Sequence, residues 1–351
     1  MLGQILGRTG INKPVEAADW LHKAADQGDF LAEFSLGTLY LKGEGVPKDA
    51  SQAAIWYRRA ADHGYPAAQV GLGTLYRHGE GVAQDLSEAQ RWYSKAESDV
   101  SPPSRDQSPP EEDRKVVVRR DQYQQAILGL ADQYRTGKGL PQDYEQALNW
   151  YLKAADFGSS IAQTWVGRMY RDSLGVPKDV AVAEQWFLKA AETGHSWHQY
   201  DLGKLYADGG AYEKAFKWYR KAADQDHYRA QYELALVHHH GKGRPQDYAE
   251  ALRWYRKAGD LGHPLAVYNL GLMYLNGKGV QQDDGQAYLW LTIAASILPG
   301  KESDIRPYII GSRDDLAKRM TPSQAEEARR LATEWIDNLR RRLGRHAFKR
   351  L

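Results

Sequence analysis

The chain has 351 residues, 42% of them hydrophobic, with 47 Lys or Arg against 45 Asp or Glu for a net charge of +2. So even a balance leaves no global field to draw nucleic acid, and the absence of cysteine excludes a disulfide framework, thiolate-bound zinc and a thiol nucleophile. The basic excess is local: residues 301–351 hold 13 Lys or Arg and 8 Asp or Glu.

Residues 1–10 carry no signal-peptide pattern. The chain nevertheless opens inside a broken copy of a unit that recurs later, with Trp20-Leu21 as its remnant. A leader removed before Met1 is therefore one expectation. The protein is then periplasmic if such a leader was removed, and cytoplasmic otherwise.

From there an aromatic pair or near equivalent recurs at Trp56-Tyr57, Trp92-Tyr93, Trp150-Tyr151, Trp186-Phe187, Trp218-Tyr219, Trp254-Tyr255 and Trp290-Leu291. A unit repeated at this interval signals a solenoid, so the expected fold class is all-α, an array of stacked helix pairs over residues 1–300. Eight of the 11 tryptophans belong to this frame.

In the first full copy, Ala32, Leu36 and Tyr40 stand four apart on one face of a first helix, and Gly37 admits a close neighbour. Gly43 and Gly45 end that helix. Asp49 is the expected cap of a second helix that carries Ala53, Trp56, Tyr57, Ala60 and Ala61 and stops at Gly64.

The core position of each first helix falls at Leu36, Leu72, Leu130, Val166, Leu202, Leu234 and Leu270. Two intervals depart from the 36-residue period. Leu72 to Leu130 is 58 residues, because a 22-residue insertion lies at about 98–121, with Pro102-Pro103, Pro109-Pro110 and then Glu111-Glu112-Asp113. Its composition predicts a flexible or extended loop, either a tolerated insertion or a partner-contacting arm stiffened at Val116-Val117-Val118. Leu202 to Leu234 is 32 residues, because the fifth copy's turn is cut to Asp208-Gly209-Gly210.

The repeat fails after Ala295. Thr321-Pro-Ser-Gln324 is a helix start, and Leu331, Trp335 and Leu339 form an apolar stripe. Residues 301–351 thus read as a helical cap over the array's open end, with a basic tail from Arg340 to Arg350 whose alternatives are a solvated terminus or weak attraction to anionic surfaces.

No zincin, lipase or Walker motif occurs. Gly43-Glu-Gly45 and its equivalents read as turns rather than phosphate loops because they recur in register. His238-His239-His240 is the one metal-like cluster. Adjacent helix positions point about 100° apart, so no metal site and no cofactor are expected.

The pattern A-x-x-x-L-G-x-x-Y-x-x-G-x-G-V-x-x-D, then A-x-x-W-Y-x-x-A-A-x-x-G, resembles the Sel-one-like repeat (SLR), a relative of the tetratricopeptide repeat, over about residues 15–298. Departures are Ser173 for the first turn glycine, Ala131 and Ala235 for helix glycines, and His238 for the tyrosine. The resemblance implies a right-handed superhelix of antiparallel helix pairs that binds proteins, with no catalytic centre. Bacterial members include immunity proteins that neutralise toxic lipase effectors of type VI secretion, periplasmic scaffolds of envelope or exopolysaccharide export, and host-interaction factors. The first of these is the leading reading, with a secreted effector as the protein partner; no nucleic acid or stable membrane insertion is expected.

In that family the first helices line the concave face. Off their core positions this chain carries Arg77, Arg135, Arg168 and Arg171 in copies two to four, and Tyr200, Lys204, Tyr232, His239 and Tyr268 in copies five to seven. Tyr and Arg are favoured at interface hot spots, so these nine are the expected partner-binding residues, with acidic partner groups against the arginines and apolar ones against the tyrosines. The plain alternative is that the arginines solubilise the surface and the tyrosines pack between repeats.

Overall fold

The computed structural model describes residues 14–99, 110–138, 140–298 and 304–348, and these residues are helical, with no strand among them. They form two compact units, residues 1–178 and 179–351. The first holds α1 (Pro14–Ala25), α2 (Phe30–Lys42), α3 (Ala50–Asp62), α4 (Pro66–His78), α5 (Leu86–Ser98), α6 (Pro110–Thr136), α7 (Tyr144–Asp156) and α8 (Ser160–Asp172). The second holds α9 (Val180–Ala191), α10 (Ser196–Asp208), α11 (Tyr212–Ala223), α12 (Tyr228–His240), α13 (Tyr248–Asp260), α14 (Pro264–Asn276), α15 (Asp284–Ile297), α16 (Arg306–Arg319) and α17 (Pro322–Phe348). Within each unit the two helices of a repeat pack on one another as α-solenoid pairs, and α6 packs on α4.

The turn chemistry explains why each copy breaks in the same place. Gly43, Gly79, Gly241 and Gly277 end first helices in the left-handed conformation, and Ser173 adopts φ 58 in the equivalent place. The aspartate that follows caps the next helix: Asp49 accepts from the N–H groups of Ser51 and Gln52 at 2.9 and 3.0 Å, satisfying donors that a helix start leaves open. The turn is closed by the Asp49 N–H donating to the Tyr40 carbonyl at 2.9 Å. In the shortened fifth copy Ala211 makes the same closure onto Tyr206 at 2.8 Å, but caps with no side chain.

The frame aromatics fill the space that glycine leaves. A Cβ on Gly37 would lie 2.4 Å from the Tyr57 ring, one on Gly73 2.7 Å from Tyr93, and one on Gly203 2.6 Å from Tyr219. Alanines at 0% exposure, such as Ala53, Ala60, Ala251 and Ala258, bring the helices to that distance.

The insertion differs from the expected loop. Residues 110–121 are helical and run without interruption into the first helix of the third copy, giving the 27-residue α6. Pro110 fits this because the first helical position has no intrahelical use for an N–H. The Pro102-Pro103 stretch lies outside the described residues, as do the side chains of Val116, Val117 and Val118.

Beyond α15, α16 and α17 both pack on it. Trp335 meets Trp290 edge to face at 5.9 Å. Arg306 donates to the carbonyls of Ala295 and Leu298, at 2.6 and 2.5 Å, and so closes the end of α15. Thr321 and Gln324 form the expected reciprocal cap. The buried stripe of α17 is Ala325, Ala328, Ala332, Ile336 and Leu339; Leu331 stays exposed. Arg340 and Arg341 bond back to Asp337 and Asn338 on their own helix, and Arg342 reaches the Asp260 carbonyl.

Candidate functional site

In the first unit, Arg135 and Arg168 come together. Their guanidinium groups lie 4.0 and 4.8 Å from the ring centre of Trp165, which also stacks on Tyr151 at 5.8 Å. Arg135 is tied to Asp132 at 2.9 Å and to the Tyr151 hydroxyl at 3.1 Å, and that hydroxyl donates to Asp132 at 2.5 Å. Loss of solvent pushes the Tyr151 hydroxyl well above its ordinary pKa. Trp165 is one of three tryptophans outside the repeating frame, and that is the signal by which it is visible in the sequence.

Arg171 is engaged by Asp172 through two bonds of 2.7 Å, which holds the Asp172 carboxyl below its ordinary range. Arg77 is half-buried on α4 near His78, whose imidazole bonds the Tyr134 hydroxyl at 2.8 Å. Burial, reinforced by Arg77, lowers the His78 pKa.

The same unit contains a groove of about 800 Å³ along α2, α4 and α6. Its floor includes Phe34, Tyr57, Val70 and Leu130. Phe34 stacks on Tyr57 at 5.4 Å, and burial pushes the Tyr57 hydroxyl up to about 12. None of the nine sequence-predicted residues lines this groove. Its lining is drawn from three copies, and no motif within one copy marks it.

In the second unit Tyr200 and Tyr232 are packed between repeats. Tyr200 stacks on His227 at 4.8 Å and Tyr232 on His263 at 4.2 Å. Each histidine also caps a first helix: Nδ1 of His227 accepts from Ala230 N–H at 3.2 Å, and Nδ1 of His263 from Ala266 N–H at 3.3 Å. Burial, with Arg229 adding repulsion, lowers both imidazoles to about 4. Trp197, another tryptophan outside the frame, stands 50% exposed with its edge on His227 at 4.3 Å.

Lys204 is exposed, and with Lys242 it offsets the desolvation that raises the half-buried Glu233 carboxyl. Tyr268 is half-buried on α14. His239 faces the Tyr255 hydroxyl at 3.3 Å, whereas His238 meets the Phe216 ring, so the histidine triplet serves different neighbours. Among the described residues no group of three His, Asp or Glu is placed to hold a metal ion. No helix of the described residues is long and apolar enough to cross a membrane.

A family model described as Sel1 repeat matches residues 1–29, 31–65, 66–98, 124–159, 160–195, 199–227, 229–263 and 264–296. No curated protein matches the chain significantly. Among solved structures, a Sel1 repeat protein from Oxalobacter formigenes is similar at 29% identity and TM-score 0.53, covering 84% of this chain and 79% of that one. A protective antigen of uropathogenic Escherichia coli with an SLR fold matches at 28% identity and TM-score 0.41, over 94% and 90%. The immunity protein Pa5087 of Pseudomonas aeruginosa matches at 21% identity and TM-score 0.33, over 65% and 81%.

Proposed function

Because this chain belongs to the Sel1 repeat family of protein-interaction modules, we propose that it is a non-enzymatic binding protein, most concretely a bacterial immunity protein that captures and neutralises a secreted, lipase-type effector. The observation that carries the binding role is the Arg135–Trp165–Arg168 surface on α6 and α8. Trp and Arg supply large contact area and directed hydrogen bonds, and here both guanidinium groups are held against a ring, so little side-chain freedom is lost on binding. The choice of an effector as partner comes from the family resemblance. Inhibition then works by covering the effector's active site or its membrane-engaging face.

The test is co-expression with the product of the neighbouring gene, read as protection from toxicity and as a purified complex. Arg135→Ala combined with Arg168→Ala is expected to weaken the complex at least tenfold while leaving the helical circular dichroism signal intact. A complex that ignores the double variant removes this surface from the interface. Absence of both complex and protection removes the immunity reading.

A further inference from the structure

The groove along α2, α4 and α6 has three features that the repeat scaffold does not require. The first is Gly129. It sits inside α6, where glycine is a much poorer helix former than alanine, and a Cβ there would meet nothing within 4 Å. The neighbouring groove glycine, Gly71, has a packing reason, since its Cβ would lie 2.9 Å from the Tyr57 ring. Gly129 has none, and its effect is to leave helix backbone open to whatever enters the groove.

The second is the pair of glutamines one turn to either side. Gln125 and Gln133 also line the groove and are exposed. Among the described residues neither side-chain amide has a hydrogen-bond partner. With 1.5 Å of rise per residue they stand about 12 Å apart along α6, the length of about four residues of extended chain. The third feature is charge. Lys42, Lys48 and Lys138 stand at the edge against a single carboxylate, Glu80, and none of the three lysines has an ion-pair partner among the described residues.

From these we infer that the groove holds an extended peptide segment with apolar side chains on the Phe34–Tyr57–Val70 floor and carboxylates beside the three lysines. This rests on the reading of the chain as a protein-interaction module and gives it a second, chemically defined contact. An extended backbone is the occupant that uses the amide stripe, because its N–H and C=O groups need partners once they leave water. A bound helix satisfies its own backbone, and an acyl chain has no groups to pair with Gln125 and Gln133.

The experiment uses the full chain. Random ten-residue peptides displayed on phage are selected on it, and recovered sequences are synthesised with a fluorophore and titrated by anisotropy. Recovered peptides are expected to combine several Asp or Glu with Leu, Ile or Phe. Gly129→Trp, which fills the open space, is expected to weaken them at least tenfold, and Lys42→Glu with Lys138→Glu likewise; sodium dodecanoate should not displace them. Should Gly129→Trp fail to fold by circular dichroism, the exposed lysine pair decides.

Selection that yields no peptide, or peptides that bind both variants as tightly as wild type, overturns the inference. Dodecanoate binding without peptide binding makes the groove a lipid site and overturns it too. The two readings fail separately. A partner protein captured equally by wild type and Gly129→Trp leaves the interaction module standing without this groove, whereas peptide binding without a complex with the neighbouring gene's product leaves the groove without the immunity assignment.

Discussion

His227 and His263 do two jobs that protonation sets against each other. As caps they accept a backbone N–H through Nδ1, and as stacked rings they sit out of water beside Arg229. Both jobs require the neutral imidazole, and burial lowers both pKa values from 6.5 to about 4. A histidine depressed in the folded state stabilises it fully above the unfolded pKa, and this contribution is lost as pH falls through 6.5 toward 4. Each pair of pKa values implies on the order of 3 kcal/mol before solvent screening is taken into account. We predict that the melting temperature of the second unit falls over that window. In His227→Asn with His263→Asn, which keeps a capping side chain without a titrating group, the fall should be shallower. Parallel pH profiles for wild type and double variant would rule this out. The same stacking holds Tyr200 and Tyr232 against the start of the following repeat.

At the scale of the element, the two glycines of each turn are not equivalent, although the sequence writes them alike. Gly79 needs only its left-handed φ of 68°, with the nearest contact to an added Cβ the Gln84 side chain at 3.2 Å. Gly81 needs φ 71° and also has the Ala50 carbonyl 2.2 Å from where a Cβ would be. We predict that Gly79→Ala costs about 1–2 kcal/mol of left-handed strain and that Gly81→Ala costs more, because backbone must move against α3. Urea unfolding of the two variants checks this, and equal losses would refute it. Ser173, standing at φ 58 in the first turn position of another copy, shows why only the second must stay glycine. Such features are legible in the sequence because each copy repeats a local demand: a left-handed stop, an aspartate cap, a glycine under an aromatic ring. The helical run of residues 110–121 was not legible, since its composition favours a loop and its helix depends on continuity with α6. The groove was hidden for a related reason: its lining is drawn from three copies that lie far apart in the chain, and only Leu130 among its residues stands at a repeating core position.

At the scale of the whole molecule, an array of this kind must end its hydrophobic stack somewhere. In the second unit the end lies at α15, where Trp290, Leu291, Ile293 and Ile297 are all buried. α16 and α17 provide the cover, fixed by Trp335 on Trp290, by Arg306 on the last carbonyls of α15, by Arg329 on the Tyr288 hydroxyl at 3.2 Å and by Arg319 on Asp284 at 2.9 Å. These contacts combine apolar burial with closure of backbone acceptors that would otherwise lose their partners. The basic residues near the end of α17 contribute differently, since Arg340 and Arg341 are exposed and bond to Asp337 and Asn338 on their own helix; such exposed pairs are worth little. We therefore propose that residues 301–351 act as a cap through their apolar stripe and Arg306, not through the basic tail. Ending the chain at Leu298 is expected to lower the melting temperature, raise binding of an apolar dye and cause aggregation. Arg340→Gln with Arg341→Gln should leave all three unchanged. A soluble truncated chain that melts at the wild-type temperature would show that the array closes its own end without these helices.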